Sequence, residues 1–134
     1  DLADLHVPFQ VTVIDPHEEF AARVRPNVRY VALDEAQFFD PPAVDEVLAL
    51  IYRGVSVFAS GLDRDFRGVP FGIVPTLLAH ADEVLKFTAI CAHCKGENAT
   101  MSHRLVANDA QVYVGARDVY APLCRACWAA ATQR

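Results

Sequence analysis

The only four cysteines among the 134 residues stand in two pairs, Cys91-x-x-Cys94 and Cys124-x-x-Cys127. Two short knuckles of this kind can bring four thiolates to one tetrahedral point, the ligand set of a closed structural Zn2+ site. A redox dithiol or two disulfides would use the same residues. Zinc is the better reading, because no thiol is left over and no export signal is visible at the N-terminus. His93 lies inside the first knuckle and could in principle substitute as a ligand, but four thiols already complete the set.

Carboxylates supply the second chemistry. The run VRYVAL, residues 28–33, ends in Asp34-Glu35. An apolar strand ending in acid resembles a Walker B element, where a carboxylate holds the Mg2+ that accompanies a nucleoside triphosphate. Its neighbour could take a proton from an attacking hydroxyl. Successive side chains on extended backbone diverge, so two separate roles fit better than one shared proton. A solvated turn at a strand end would show the same two residues. Residues 61–72 (GLDRDFRGVPFG) are dense in glycine, charge and aromatics. Phe66 and Phe71 there could offer a flat apolar wall to a base or sugar, or could simply pin the loop to the core. His6, His17, His80, His93 and His103 show no metal or triad spacing, and Ser56, Ser60 and Ser102 lack a G-x-S-x-G context.

These residues need elements to position them. Strands are expected over residues 10–14, 28–33, 55–60 and 83–90. Helices are expected from Pro16 to about Val24, from Pro41-Pro42 to Gly54, and over 73–81. Strand and helix alternate over the first ninety residues. That pattern is α/β with a mostly parallel sheet, in which ligands bind at the carboxyl ends of strands. Residues 99–106 and 111–114 read as a β-ribbon turning at Asn108-Asp109, and 115–120 as a loop leading to the second knuckle. The expected organisation is an α/β core over 1–90 and a small zinc-binding lobe over 91–134.

The chain is 53% apolar, enough for a real core, and carries a net charge of −5 with no basic run. That balance argues against nucleic acid as the main partner. No stretch approaches the roughly 20 apolar residues of a membrane span. A cytoplasmic protein is expected.

Taken together, the blocks resemble the zinc-containing thymidine kinases, the cytosolic vertebrate and bacterial type. The likeness rests on Asp34-Glu35-Ala36-Gln37-Phe38-Phe39, and on Gly61-Leu62-Asp63 through Phe66 to Pro70-Phe71-Gly72. It continues in residues 81–91 (ADEVLKFTAIC), and in Val114-Gly115 through Asp118-Val119-Tyr120 to Cys124-Arg125-Ala126-Cys127. It runs from about Val11 to Trp128, in the family's order and spacing. The resemblance implies a P-loop-kinase or RecA-like mostly parallel sheet with a zinc-ribbon "lasso" lobe. It implies transfer of the ATP γ-phosphoryl to the 5′-hydroxyl of thymidine or deoxyuridine. Glu35 would be the general base, and Asp34 would help hold Mg2+, through water. Gln37, Phe38, Phe66, Ser102, Tyr113, Gly115 and Tyr120 would border the nucleoside, and Arg104 matches a recurrent arginine of the ribbon. Homotetramers and feedback inhibition by dTTP are also implied.

Two departures stand out. Gly115-Ala116 replaces the usual Gly-Gly of the lasso, which strains any conformation needing positive φ at Ala116. The phosphate loop G-x-x-x-x-G-K-[ST] does not occur, and the only lysines are Lys86 and Lys95. The family's first two strands and first helix are therefore expected to be missing, so that these residues alone would be inactive and prone to aggregate. An inactive, zinc-stapled nucleoside-binding fragment is the alternative, and a zinc-ribbon module for nucleic acid is a third.

Overall fold

The computed structural model describes residues 12–113 and 119–132. Two strands and the helix between them form the first unit. β1 (Tyr30–Leu33) and β2 (Ser56–Ala59) pair in parallel, with Tyr30 opposite Ser56 and Leu33 opposite Ala59. Parallel neighbours need a crossover, and α1 (Ala43–Tyr52) supplies it. Gly54, at φ 81°, closes α1 in the left-handed conformation that favours glycine at a helix end.

The apolar spacing of α1 faces Val47 and Leu50 inward, where they join Phe20, Leu33, Val55 and Ile73 in a buried cluster. Val31 and Val57 lean on that cluster from the strands. With a side-chain period of two, Tyr30 and Phe58 point the other way. They are 69% and 63% exposed, so one face of the two-stranded sheet is uncovered. α2 (Val74–His80) follows, with Val74 buried and Pro75 in its first turn.

A second buried cluster gathers Cys91, Ala99 and Leu123, with Trp128 and Ala131 packed against it. Its frame is an antiparallel pair, β3 (Ala99–Arg104) with β4 (Tyr120–Cys124), followed directly by α3 (Arg125–Thr132). Pro122 sits in β4, where its carbonyl accepts from Ala92 N–H at 2.8 Å. No helix among the described residues is long and apolar enough to cross a membrane.

Several expected elements are corrected. Residues 12–14 form no strand, and positions 10 and 11 lie outside the described residues. The segment after Pro16 is a turn and a short 3-10 helix, Ala21–Arg23, rather than an α-helix. Glu46, reaching from α1, accepts from both Phe20 N–H and Ala21 N–H and fixes that turn. Residues 83–90 are exposed and form no strand; only Ala89 makes a bridge, to Ala99. An apolar β-branched run becomes a strand only beside a partner edge, and among the described residues only Ala99 offers one there. The ribbon partner is also different. β3 pairs with residues 120–124, not 111–114; the Gln111 carbonyl accepts from Arg104 instead, and residue 114 lies outside the described residues.

Candidate functional site: carboxylates, an arginine hub and four thiols

The carboxyl ends of β1 and β2 lie side by side and carry the first cluster. Ser60 N–H donates to the Leu33 carbonyl at 2.9 Å, and Ala36 N–H donates to the Ser60 carbonyl at 2.9 Å. Ser60 Oγ donates to Asp34 Oδ1 at 2.5 Å, and Glu35 N–H donates to the same oxygen at 3.0 Å. Glu35 itself lies in the left-handed region, φ 53° and ψ 43°, an uncommon place for a side chain of its size. That kink turns its carboxylate away from Asp34 and onto Gln37, whose Nε2–H donates to Glu35 Oε2. The two acids therefore have different partners, through a left-handed turn at Glu35 and not through the extended backbone expected.

Gln37 is 3% exposed, and its Oε1 accepts from Leu62 N–H at 3.0 Å. Two glycines make room for it. A Cβ on Gly61 would come within 2.6 Å of Gln37 Oε1. A Cβ on Gly72, at φ 54°, would collide with the Gln37 carbonyl. Phe38 is half-exposed and meets Phe71 edge-on, with ring centroids 5.8 Å apart. An open cavity of about 330 Å³ lies beside the carboxylates, lined by Ala32, Leu33, Asp34, Phe58, Ala59 and Ser60.

Residues 61–72 lead from this cluster to the second. Asp65 is 2% exposed and accepts from the N–H groups of Arg67 and Val69, the Arg67 guanidinium and Gln111 Nε2. Burial alone would raise its carboxyl. The hydrogen bonds from Gln111, Arg67 and the backbone outweigh burial and hold it below the ordinary aspartate value. Asp63 is likewise held low against burial, by Lys86 at 2.8 Å and by Arg64.

Arg104 is the hub that sequence reasoning passed over lightly. It is 7% exposed, and its guanidinium lies 3.7 Å from the centroid of the Phe66 ring. It donates to the carbonyls of Asn108, Ala110 and Gln111 and to Tyr120 Oη, which in turn donates to the Tyr113 carbonyl at 2.8 Å. Phe66, Tyr113 and Tyr120, singled out from the sequence, are thus drawn around one cation. Ser102 sits in β3 opposite Pro122, half-buried. Gly115 lies outside the described residues. The sequence signal for the hub was the match of Arg104 to a recurrent arginine of the ribbon, which gave its position but not its burial or its partners.

The third cluster is sulfur. The Sγ atoms of Cys91, Cys94, Cys124 and Cys127 all lie within 4.8 Å of one another, and Cys94 and Cys124 are 3.9 Å apart. Tetrahedral bonds of about 2.3 Å place sulfurs about 3.8 Å apart, so the four thiols fit a metal ion such as zinc. Without a metal their acidities diverge. Cys91 is pulled down to about 6, chiefly by the Cys124 N–H. Cys127 is pushed up to about 12, chiefly by its hydrogen bond with Cys124.

The chain thus combines an α/β unit with adjacent acids at the end of β1 and a cluster of four thiols that could hold a metal ion. The sequence profile of the Thymidine kinase family matches residues 10–128, and the chain belongs to that family. It is 52% identical over 107 residues to a thymidine kinase of Bacteroides fragilis, covering 80% of this chain and 53% of that protein. The thymidine kinase of Bacteroides thetaiotaomicron is 50% identical over 102 residues, covering 76% of this chain and 51% of its own length. That of Mesomycoplasma hyopneumoniae is 45% identical over 103 residues, covering 77% and 55%. The chain thus spans about half the length of the curated relatives it matches.

Proposed function

We propose that these residues are the nucleoside-binding portion of a thymidine kinase, which transfers the γ-phosphoryl of ATP to the 5′-hydroxyl of thymidine or deoxyuridine. The observation that carries the reading is the end of β1, where Asp34 and Glu35 are adjacent in sequence but fixed by different partners. Glu35 is the general base: it takes the proton of the attacking hydroxyl as the new bond to phosphorus forms. Gln37, buried and shared between Glu35 and Leu62 N–H, sets the direction of that carboxylate. Asp34 would hold Mg2+ through water; the ion, with ATP, supplies charge neutralisation between the phosphates.

The nucleoside would lie between the carboxylates and the arginine hub, against Phe38 and Phe66, with Ser102, Tyr113, Gly115 and Tyr120 from the second half. The four cysteines would hold Zn2+ in a closed site whose role is to staple β3, β4 and α3 together, with no open position for catalysis. We place the boundary between an α/β core, 1–90, and a zinc-binding lasso lobe, 91–134, at Cys91. The core would be part of a P-loop-kinase or RecA-like sheet. A cytoplasmic homotetramer with dTTP as feedback inhibitor completes the reading.

The test is Glu35→Gln in the full-length protein. Turnover should fall by about 10²- to 10⁴-fold, while thymidine binding by calorimetry stays within a few-fold. Near-normal turnover would remove Glu35 from the role of base.

A further inference from the structure

Four thiolates around one divalent cation leave a net charge of −2, which a structural site relieves through hydrogen bonds to sulfur. Among the described residues, backbone N–H groups reach two of the four sulfurs. Cys91, fully buried, receives the Cys124 N–H at 3.4 Å. Cys124 receives the Cys127 N–H at 3.5 Å. Among the described residues, Cys127 has one hydrogen-bond partner outside the cysteines, the Nδ1 of His93 at 3.5 Å.

Cys127 also faces the open side. An open cavity of about 450 Å³ is lined by His93, His103, Ala126, Cys127, Ala130 and Ala131. This cavity opens the cluster to solvent, and the His93 ring lines it beside the Cys127 sulfur.

Resting on the metal reading of the four thiols, we propose that His93 is a positioning residue of the metal site. Its Nδ1–H donates to the Cys127 thiolate, which holds that ligand in place and slows metal loss through the cavity. The ring is exposed, so its worth lies in this hydrogen bond more than in packing. The second knuckle carries Arg125 and Ala126 between its cysteines, so neither offers an equivalent imidazole.

The test uses zinc-loaded protein challenged with the chromophoric chelator 4-(2-pyridylazo)resorcinol. His93→Ala should weaken zinc retention by about 10- to 100-fold, the usual cost of losing an outer hydrogen-bond partner. His93→Asn, whose amide N–H can reach the same sulfur, should restore most of it. His103→Ala, which lines the cavity without touching a thiol, should leave retention unchanged. Cobalt-substituted protein adds a readout that packing would not move: losing the N–H donor shifts the thiolate-to-cobalt charge-transfer band to lower energy. Unchanged release and an unchanged band in His93→Ala would overturn the proposal. A three-sulfur, one-nitrogen cobalt spectrum in the parent protein would overturn it too, by making His93 a ligand. Parent protein that takes up no zinc would instead sink the metal reading itself.

Discussion

At the scale of single residues, the carboxylate site depends on positions that chemistry alone would not mark. Glu35 and Asp34 were legible because acids at the end of an apolar strand are a recognisable pattern. Gln37 was legible only as part of the same block, and its burial was not. Gly72 makes room for it, because its missing side chain lets the backbone pass against the Gln37 carbonyl. We expect Gly72→Ala to cost at least about 1–2 kcal/mol from the left-handed backbone alone, with the collision added to it. Chemical denaturation should show this as a lower midpoint. Since Gln37 would shift, the loss should be accompanied by lower turnover in the full-length protein. A Gly72→Ala protein with parent stability would mean that the backbone here yields easily and that Gln37 is not clamped.

At the scale of elements, residues 61–72 are held by a buried acid. Asp65 has its folded value depressed, so its contribution to stability is fully present above the ordinary aspartate value of 3.8. It is lost as pH falls through the lower, folded value. Thermal unfolding followed below pH 4 should therefore steepen with acid, and Asp65→Asn should flatten that limb while costing stability at neutral pH. An identical acid profile in the variant would show that other carboxylates set it. The same element shows where sequence reading succeeds and stops. β1, α1, β2 and α2 were visible because each carries its own period and its own stop signal, such as Gly54. The strand expected at 83–90 has the right composition, but a strand is a property of two segments. The ribbon partner failed for a related reason: residues 111–114 (QVYV) show alternation, whereas residues 120–124 (YAPLC) carry a proline and show none. What selects the second is Cys124, drawn toward Cys91 and Cys94 at the base of the ribbon.

At the scale of the whole molecule, residues 61–72 bridge the two halves, through Asp65 to Gln111, Phe66 to Trp128 and the Phe66 ring to Arg104. Extracting the metal should loosen β3, β4 and α3 first. Their amides should lose hydrogen-exchange protection while those of α1, anchored by Leu50, keep it. Equal loss in both would show that the two clusters open as one unit. The joint itself has a geometry worth following. Trp128 adjoins Cys127 on α3, and its indole N–H donates to the carbonyl of Phe66 at 3.2 Å. A nucleoside seated against Phe66 and a metal held by Cys127 would be separated by a single indole. Coupling between two bound species is symmetrical in free energy. Whatever firmness the ion lends to the grip on the base, the base must return as firmness in the grip on the ion. If the ion tightens the grip on a nucleoside, a cell rich in that nucleoside would keep this protein metallated at zinc levels where an idle copy would be stripped.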